Sequence, residues 1–550
     1  MKLKFTVIAL SAVVLIALGC NKTEQTKDLQ KNAGTDVKQP ATPIKTAAIS
    51  GAYGTYTMVN VGSGFAVEVG GFTTLGQKQE NQRAIQQWSA STTTPERWQK
   101  WNVVDLGTGY YKIVNLYSGK VLDAPNSSQG TVLTQYDWHG GTNQQWQLVV
   151  VGFGAYKIIN RSNGLALTNE NGSTTNGTAI TQRTFVNDSS QWWVFNQFAR
   201  DSYRDNELTN FFKRTTGSTA FDGVFSIPLT YGANNGKVMW PTNDTYWNNI
   251  NADGSTPCYG GDQPIAYRCS NLIQPAQSNG VWNFSPSATS NITTSYGNQF
   301  FPIQPGTSWT WPSGGIEIGS HVYVYADEGN GLDPTSEGIY DIYQGNAPSY
   351  TVTRLNTPAL SNQTTIRYMH GMVKVTDGGV NYVYVYGANG GDVYVARFPE
   401  SNPSSWTFWN GSSWASNPTT GASAKIASVP NGGFGVAKVN GKYVIASMDY
   451  GFGCDFAQRN VYTCFSADPK SGWSTNKVVY AMPDYKQGHT PYFYQAAIHP
   501  QFNSNNEMVF TYCVNFYGSC LTPCSNANGT MDPNDYRAKA VRIPYDLIGI

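Results

Sequence analysis

The sequence predicts an all-β protein with more than one folded domain. Charged residues make up only 13% of the 550-residue chain, whereas Gly (56), Tyr (34) and Trp (16) are abundant, and this composition fits neither a disordered chain nor a coiled coil. Short segments in which apolar and polar residues alternate recur between glycine turns, which is the pattern of half-buried strands. The length exceeds that of one ordinary domain.

The charge balance and the motifs exclude several classes of function. Lys and Arg (36) nearly equal Asp and Glu (35), and no basic stripe is present, so we expect no nucleic-acid partner. Metalloprotease, nucleophile-elbow and phosphate-loop motifs are absent from the sequence. The five histidines lie far apart and Cys520 and Cys524 do not form a CxxC pair, so we expect no metal and no cofactor. The chain is predicted to be a monomer.

The first twenty residues have the pattern of an export signal. Lys2 and Lys4 precede an apolar run over residues 5–18, which ends in Gly19 and Cys20. A transmembrane anchor is the alternative, but about 14 apolar residues are fewer than the roughly 20 that span a bilayer. The string Ala-Leu-Gly-Cys20 resembles a bacterial lipobox. That resemblance implies a lipoprotein signal peptide over residues 1–20, lipidation of Cys20 and location at the outer membrane.

Residues 21–48 are polar and lack aromatic side chains. Such a segment cannot bury a core, so we predict a flexible linker between the lipid anchor and the folded domains.

The remaining cysteines predict disulfides, because an exported protein can keep them. Cys258 with Cys269 and Cys454 with Cys464 would each close a short loop. Two of the last three cysteines are expected to pair and one to stay free; these three are Cys513, Cys520 and Cys524.

A threefold repeat occupies residues 52–198. A Tyr-x-x-x-Asn string begins each copy, followed by a glycine turn and a second apolar run, and a Gln-x-Trp string ends it. The Tyr-x-x-x-Asn strings begin at Tyr56, Tyr111 and Tyr156, and the Gln-x-Trp strings end at Trp101, Trp146 and Trp193. Three copies of about 45 residues made of short strands predict pseudo-threefold closure.

These strings resemble the ricin-type β-trefoil lectins, so residues 49–200 are predicted to form a carbohydrate-binding β-trefoil. In that family an acid on the second strand, an aromatic ring and an Asn before the Gln-x-Trp hold a galactose-like sugar. The resemblance implies a complete site in the second lobe, formed by Asp123, Tyr136, Asn143 and Gln144. The alternative is that these residues only stabilise a turn.

The other two lobes depart from the family pattern. The first has Glu68 and Trp88 but carries Trp98 in place of the Asn, and the third has Thr168 in place of the acid. We expect neither to be a complete site. The Gln-x-Trp tryptophans are expected in the core.

A different repeat follows in residues 201–550. Runs of period two begin roughly 50 to 65 residues apart, after one longer insertion, which is near the length of a four-stranded propeller blade. The sequence therefore predicts a β-trefoil followed by a five-bladed β-propeller. The runs cover residues 224–229, 316–325, 372–386, 436–447 and 494–512.

Several segments also resemble the propellers of domain-of-unknown-function families 4185 and 5005, the first of which includes arabinan-cleaving glycoside hydrolases. The resemblance implies a five-bladed propeller with glycoside hydrolase activity. The matching segments are residues 222–229, 239–245, 384–388, 395–397, 406–414 and 499–500.

Asp222 and Asp244 are the main candidates for catalysis. The predicted strands 223–229 and 238–243 form a hairpin centred near residue 233, which sets these two aspartates opposite each other. Their side chains would lie on the order of 5 Å apart, near the spacing of a retaining glycosidase; about 6.5–9.5 Å would indicate an inverting one. Close carboxylates also separate their pKa values, giving one acid and one base or nucleophile. The alternative is turn capping.

Further candidates lie near the other predicted blade starts. Glu317 and His370 are candidate catalytic residues, and both have the alternative of a purely structural hydrogen bond. Asp327, Glu328 and Asp333 are predicted to lie in a solvated turn rather than a calcium loop. The candidate substrate-binding residues are Trp240, Trp247, Trp311, Asp449 and His489.

The sequence therefore favours an exported lipoprotein that binds polysaccharide through its trefoil and hydrolyses glycosidic bonds in its propeller. A non-catalytic glycan-capture protein with two binding domains is the alternative. A sialidase is less favoured, because only Arg367 and Arg397 lie near predicted blade starts.

Overall fold

A computed structural model of the chain describes most of the two predicted domains. The described residues are 53–71, 75–257, 271–292, 299–361, 363, 365–431, 433–449, 451, 454–455, 458–516 and 530–550. The predicted signal peptide, Cys20 and the linker lie outside them. Among the helices of these described ranges, none is both long and apolar enough to cross a membrane.

Strands of the first domain form one antiparallel sheet that closes on itself in three similar lobes. In the described residues this domain has twelve strands, β1 to β12, and each Gln-x-Trp string lies at the end of a single 3-10 turn. The strands are Tyr53–Asn60, Ala66–Val69, Arg83–Trp88, Trp101–Asp105, Tyr111–Asn115, Val121–Asp123, Thr134–Tyr136, Trp146–Gly152, Ala155–Asn160, Ala166–Asn169, Ile180–Arg183 and Trp193–Phe198. The 3-10 turns of this domain are Leu75–Gln79, Arg97–Gln99, Thr142–Gln144, Glu170–Gly172 and Ser189–Gln191.

The three Gln-x-Trp tryptophans form the centre of this domain, as the sequence predicts. Trp101, Trp146 and Trp193 are fully buried in one core cluster. Each indole N–H donates to a backbone carbonyl of the second strand of its own lobe, at 3.0 Å in all three cases. Each lobe thus repeats the same core contact, and the domain is a β-trefoil.

The second domain contains strands β13 to β38 within the described residues. They are Tyr203–Arg204, Thr216–Phe221, Ile227–Pro228, Val238–Trp240, Thr245–Asn249, Thr256–Pro257, Leu272–Gln274, Ser290–Asn291, Trp309–Ile318, His321–Asn330, Asp333–Tyr343, Thr351–Arg354, Met372–Asp377, Val380–Asn389, Asp392–Pro399, Thr407–Trp409, Trp414–Ala415, Ala427–Ser428, Phe434–Val439, Lys442–Met448, Asn460–Ser466, Lys477–Ala481, Tyr492–Ile498, Glu507–Asn515, Thr530–Met531 and Ala538–Pro544. The helices are α1 (Asn206–Phe211), α2 (Pro358–Ser361) and α3 (Tyr545–Ile548), with 3-10 turns at Gly232–Asn234, Pro286–Ala288, Pro500–Phe502 and Pro533–Tyr536.

Among the described residues, five antiparallel sheets of four or more strands form the blades of a propeller. Blades 1 to 4 are β15-β16-β19-β20, β21-β22-β23-β24, β25-β26-β27-β28-β29 with β30, and β31-β32-β33-β34. Blade 5 is β35-β36-β38-β13. Residues of the five innermost strands or their ends line a central channel of about 410 Å³, so the predicted five-bladed β-propeller is confirmed.

Strand β13 closes the ring. It immediately follows the trefoil, yet it forms the outer edge of blade 5 by pairing Tyr203 with Arg542 and Arg204 with Val541 of β38. The guanidinium of Arg204 reaches Asp484 at 2.9 Å, and both side chains are buried. The chain between the two domains is therefore part of a sheet rather than a free linker.

Side chains of the trefoil also contact the beginning of the propeller domain directly. Arg97 of the trefoil pairs with Asp201 at 2.6 Å, and Lys112 pairs with Glu207 of helix α1 at 2.7 Å. Gly119 approaches the propeller so closely that an added Cβ would lie 2.1 Å from Cβ of Arg204. These contacts hold the end of the first lobe and the second lobe of the trefoil against the propeller.

Two predictions about local structure are wrong. Cys454 is disulfide-bonded, but not to Cys464, which is a free buried thiol on β33 because its side chain faces the core between blades 3 and 4. Cys513 is also a free buried thiol, whereas Cys258, Cys269, Cys520 and Cys524 lie outside the described residues.

The predicted solvated turn is the second correction. Asp327 and Glu328 are buried within strand β22, which continues to Asn330 because it stays paired with β21 on one side and β23 on the other. Only Asp333, at the start of β23, is exposed.

Candidate functional site

The second lobe of the trefoil brings together the side chains of the predicted sugar site. Asp123 on β6 is buried, and its Oδ1 accepts a 2.8 Å hydrogen bond from Asn143, while Oδ2 accepts a longer bond, at 3.4 Å, from Thr134. Tyr136 lies opposite Val121 on the neighbouring strand and contacts the ring of the exposed His139 edge to face, at 6.1 Å. Burial raises the pKa of Asp123.

The buried side chain of Gln144 holds the loop of the second-lobe site in place through hydrogen bonds. It is fully buried, its side-chain N–H donates to the carbonyl of Asp137 at 2.9 Å, and its side-chain oxygen accepts from the backbone N–H of His139 at 2.9 Å. Its contacts therefore fix the loop from Asp137 to His139, which directly follows Tyr136. His139 was not identified from the sequence, because nothing in the repeat marks that position.

The first lobe is occupied by its own side chains. Glu68 is buried and accepts hydrogen bonds from Gln86 at 2.8 Å and from Gln99 at 2.9 Å. The ammonium of the buried Lys78 lies 4.9 Å from the ring centre of Trp98, the residue that replaces the family's Asn. This lobe therefore does not present the carboxylate of Glu68 to solvent.

The third lobe lacks an acid on its second strand. The hydroxyl of Thr168, at that position, donates to the carbonyl of Ala166 and accepts from Gln191. Arg183, where an aromatic ring is expected, forms two hydrogen bonds with Glu170. Among the described residues, only the second lobe therefore combines the acid, the ring and the Asn.

In the propeller, Asp222 and Asp244 face each other at the end where the inner strands begin. Ile227 pairs with Met239 and Phe221 with Thr245, so the hairpin is centred at residue 233, as the sequence predicts. Asp222 and Asp244 are joined by backbone and side-chain bonds: the N–H of Asp222 donates to the carbonyl of Asp244 at 3.1 Å, and the N–H of Asp244 donates to Oδ1 of Asp222 at 3.0 Å.

Asp222 is the buried member of this pair. Its side chain accepts hydrogen bonds at Oδ2 from the hydroxyls of Tyr494, at 2.8 Å, and Tyr536, at 2.6 Å. Burial raises the pKa of Asp222 to about 6, although these hydrogen bonds act in the opposite direction. Both tyrosines come from blade 5 or the loop before its strand β38, so sequence reasoning on blade 1 missed them.

Asp244 is the more exposed member. Its Oδ1 accepts a hydrogen bond of 3.0 Å from the indole N–H of Trp311, which lies near the start of the innermost strand of blade 2. Trp311 in turn stacks on Trp309, with ring centres 3.7 Å apart. A half-buried carboxylate and a partly exposed indole thus meet beyond the start of the inner strands, next to but not among the residues that line the channel.

The structure does not support the catalytic assignments of Glu317 and His370. Glu317 lies at the end of β21, opposite the mouth with Asp222, and its carboxylate accepts from Thr230, from the N–H of Tyr231 and from Gln344. It caps a loop of blade 1.

His370 lines the channel but its ring is fixed. It stacks on Phe434 with ring centres 3.9 Å apart, and its Nδ1 donates to the Phe434 carbonyl at 2.9 Å. Burial lowers the pKa of His370 to about 4, so the ring is neutral near pH 7.

Of the remaining residues predicted to bind substrate, two are buried and two are partly exposed. Trp240 is fully buried and stacks on Phe502, so its predicted contact with substrate is wrong. Trp247 is partly exposed on β17, three residues after Asp244. Asp449 is buried and accepts from the N–H of Asn460. His489 is partly exposed and paired with Asp455 at 2.8 Å.

A second carboxylate pair in blade 2 was missed from the sequence. Asp327 and Glu337 are directly opposed on β22 and β23, and the hydroxyl of Tyr325 donates to both. Burial raises the pKa of Asp327 to about 6 and also raises that of Glu337, even though Arg367 lies 3.4 Å from Asp327. Sequence pattern alone does not reveal this pair, because Glu337 lies on the next strand, β23.

The fold and these sites define a protein with a carbohydrate-binding, lectin-like trefoil and a five-bladed propeller. The model of the domain of unknown function DUF5005 matches residues 205–544, and the chain belongs to this family. The model of the ricin-type beta-trefoil lectin domain-like family matches three overlapping segments, residues 46–136, 97–183 and 142–206. A comparison with curated proteins found no match.

Several solved structures are similar to parts of the chain. The designed threefold-symmetric protein ThreeFoil is 37% identical, over 26% of this chain and 99% of its own, with a TM-score of 0.24. A putative hydrolase from Bacteroides ovatus ATCC 8483 is 17% identical, over 62% of this chain and 90% of its own, with a TM-score of 0.48. An exo-beta-1,3-galactanase from Clostridium thermocellum is 34% identical, over 26% of this chain and 30% of its own, with a TM-score of 0.24.

Proposed function

We propose that the protein is an exported lipoprotein that binds a polysaccharide through its trefoil and hydrolyses glycosidic bonds at the mouth of its propeller. The observation that carries this proposal is the pairing of Asp222 with Asp244 beside the indole of Trp311. A pair of carboxyl groups flanking the scissile bond is the common requirement of glycoside hydrolysis.

The different surroundings of the two aspartates suit different roles. Asp222, with a pKa of about 6, is the candidate acid that gives its proton to the glycosidic oxygen as the bond to the anomeric carbon breaks. The hydroxyls of Tyr494 and Tyr536 would then stabilise its carboxylate. Asp244, the more exposed of the two, would either attack the anomeric carbon, with water later hydrolysing the glycosyl ester so formed, or take a proton from the attacking water.

The trefoil would raise the local concentration of substrate. Its second lobe holds the complete sugar site, and the same lobe contacts the propeller through Lys112 and Glu207. A polysaccharide bound there stays close to the propeller between turnovers, which increases the effective concentration of its glycosidic bonds. The proposed lipid on Cys20 and the polar segment 21–48 would keep both domains at the outer membrane.

Hydrolysis is tested by incubating the full chain with a panel of polysaccharides that includes arabinan and galactan, and measuring the reducing ends released. We expect Asp244→Asn to lower the rate about 10²–10⁴-fold, the usual contribution of one acid–base group. Asp392→Asn is the matched control, because Asp392 lies in an exposed pair with Lys425. Release of no sugar by the unmodified chain across the panel would contradict the proposal.

Non-catalytic glycan capture is the second candidate function. The observation that favours it is the burial of Asp222, whose side chain is about 6% exposed and accepts from three donors inside the protein. If the unmodified chain binds a polysaccharide of the panel without cleaving it, capture is the function, and Asp222 only stabilises the hairpin.

A further inference from the structure

A polar cleft lies between the trefoil and the propeller, apart from the second-lobe sugar site and the channel mouth. Its volume is about 470 Å³, within the range of roughly 300–1,000 Å³ typical of ligand sites. Lys112 and Trp138 line it from the trefoil, and Trp282, Gln501 and Asn505 line it from the propeller. Neither domain forms this cleft alone.

The charged side chains that line the cleft are all paired within the protein. An ionic ligand would have to break these pairs, whereas a neutral ligand would not, so the cleft favours an uncharged ligand. The pairs are Lys112–Glu207 at 2.7 Å, Arg204–Asp484 at 2.9 Å, Arg542–Asp205 at 2.7 Å and Arg200–Glu507.

Two partly exposed indole rings, one from each domain, are held in place at the cleft. The ammonium of Lys112 lies 5.1 Å from the ring centre of Trp138. Trp282 donates its indole N–H to the carbonyl of Gln501 at 3.3 Å and contacts Phe502 edge to face, with ring centres 5.0 Å apart. Rings fixed before binding lose little entropy when a ligand stacks on them.

The cleft also offers hydrogen-bonding groups. The side-chain nitrogen of Gln501 is buried and has no partner in the described part of the protein, and this residue lines both the cleft and the propeller channel. Asn505 and Gln277 are exposed at its edge. A sugar ring matches this combination, because it has an apolar face for an indole and several hydroxyls for amide groups.

We infer that the cleft between the trefoil and the propeller binds a short neutral segment of a saccharide chain. The cleft lies next to the second-lobe site. Val121 lines the cleft, and Asp123, two residues further along the same strand, supplies the carboxylate of the proposed sugar site. Trp138 follows Tyr136 by two residues in the same way. The inference needs only a glycan ligand and does not depend on hydrolysis.

The test uses the full chain carrying Asp123→Ala, which disables the second lobe, and Asp244→Asn, which prevents cleavage. Galacto-oligosaccharides and arabino-oligosaccharides, from disaccharide to hexasaccharide, are titrated in by calorimetry. We expect this parent to bind at least one of these oligosaccharides. Adding Trp282→Ala should weaken that binding about tenfold or more, because one stacking ring is lost.

Two further variants keep the result interpretable. Val281→Trp fills the cleft from a side chain that is 68% exposed, so it should abolish binding without disturbing the core. Trp409→Ala is the matched control, since Trp409 is partly exposed on blade 3 away from the cleft, and it should leave binding unchanged. The inference is overturned if the parent binds none of the oligosaccharides, or if Trp282→Ala and Val281→Trp bind them as the parent does.

Discussion

Burial changes the protonation of Asp222 more than any neighbouring group does. Its pKa rises from 3.8 to about 6 because the charged form loses water, and the two tyrosine hydroxyls reverse only part of that change. The residue therefore holds its proton in the folded protein at pH values where the unfolded chain has already released it. This difference links the stability of the fold to pH.

The first prediction concerns this linkage. Because the pKa of Asp222 is raised in the folded protein, its contribution to the free energy of unfolding is complete below about pH 4. That contribution is lost as the pH rises through about 6, and the loss amounts to about 3 kcal/mol. Asp222→Asn removes the titrating group. Urea unfolding at about pH 4 and pH 7 should therefore show that the variant gains stability relative to the unmodified chain as the pH rises. A difference that stays constant with pH would contradict the raised pKa.

The second prediction concerns the two buried acids of the trefoil. Asp123→Asn should weaken binding of galactose about 10–100-fold, the loss that corresponds to one hydrogen bond to a charged group. Glu68→Gln in the first lobe is the matched control, because its carboxylate is already engaged by Gln86 and Gln99. Calorimetric titration measures both. Equal losses in the two variants would mean that the first lobe also binds sugar.

Single residues show where sequence reasoning succeeded and where it failed. The prediction that Trp101 lies in the core is confirmed; it followed from the resemblance to the ricin-type β-trefoil lectins, in which the Gln-x-Trp tryptophans are core residues. Trp240 was wrongly placed at the surface, and Cys464 was wrongly paired, because both lie on strands covered on two faces by neighbouring blades. Local sequence does not reveal which neighbour covers a strand.

At the scale of elements, the register of the hairpin centred at residue 233 was predictable from the sequence, but the length of strand β22 was not. The alternation on both sides of residue 233 fixes which residues face each other, so the pairing of Asp222 with Asp244 followed from the sequence. Strand β22 extends to Asn330 and the chain reverses only after it, whereas the turn was predicted from the sequence already at Asp327 and Glu328. Asp327 therefore lies on β22 opposite Glu337 of β23, and the two form a buried pair.

The third prediction concerns strand β13. Arg204→Met should lower the free energy of unfolding by about 3–5 kcal/mol, because it leaves the carboxylate of Asp484 buried without its partner. Adding Asp484→Leu should recover much of the loss, since the carboxylate left without its guanidinium partner is then removed. Lys425→Met, which removes an exposed pair with Asp392, should change stability by less than about 1 kcal/mol. Chemical unfolding distinguishes these cases, and a small loss for Arg204→Met would contradict the role of the pair.

At the scale of the whole molecule, the threefold repeat supplies a comparison for the contact between domains. Gly119 and Gly164 occupy equivalent positions in lobes 2 and 3, with φ of +69° and +71°. An added Cβ would clash with Arg204 at Gly119 but would meet nothing within 4 Å at Gly164. The two glycines thus share a left-handed backbone conformation, which is costly only for a residue with a Cβ, and differ in their surroundings.

The fourth prediction follows from this comparison. Gly119→Ala and Gly164→Ala should each lose about 1 kcal/mol from the left-handed backbone, and Gly119→Ala should lose more because it separates the trefoil from the propeller. Scanning calorimetry should then resolve two heat-unfolding transitions for Gly119→Ala and fewer for Gly164→Ala. Identical melting curves for the two variants would show that the contact between domains adds no stability.

The pairing of β13 with β38 also affects the order in which the protein can assemble. Asp205 and Arg542, which bond beside this seam, lie 337 residues apart, whereas every strand pairing of the trefoil falls within residues 53–198. Bringing distant segments together is slow, since loop closure must precede any gain from contact. The trefoil can thus reach its native state before the ring of propeller blades is complete. Until β38 pairs with β13 and β36, the unpaired strand edges of blade 5 are open to pairing with other chains.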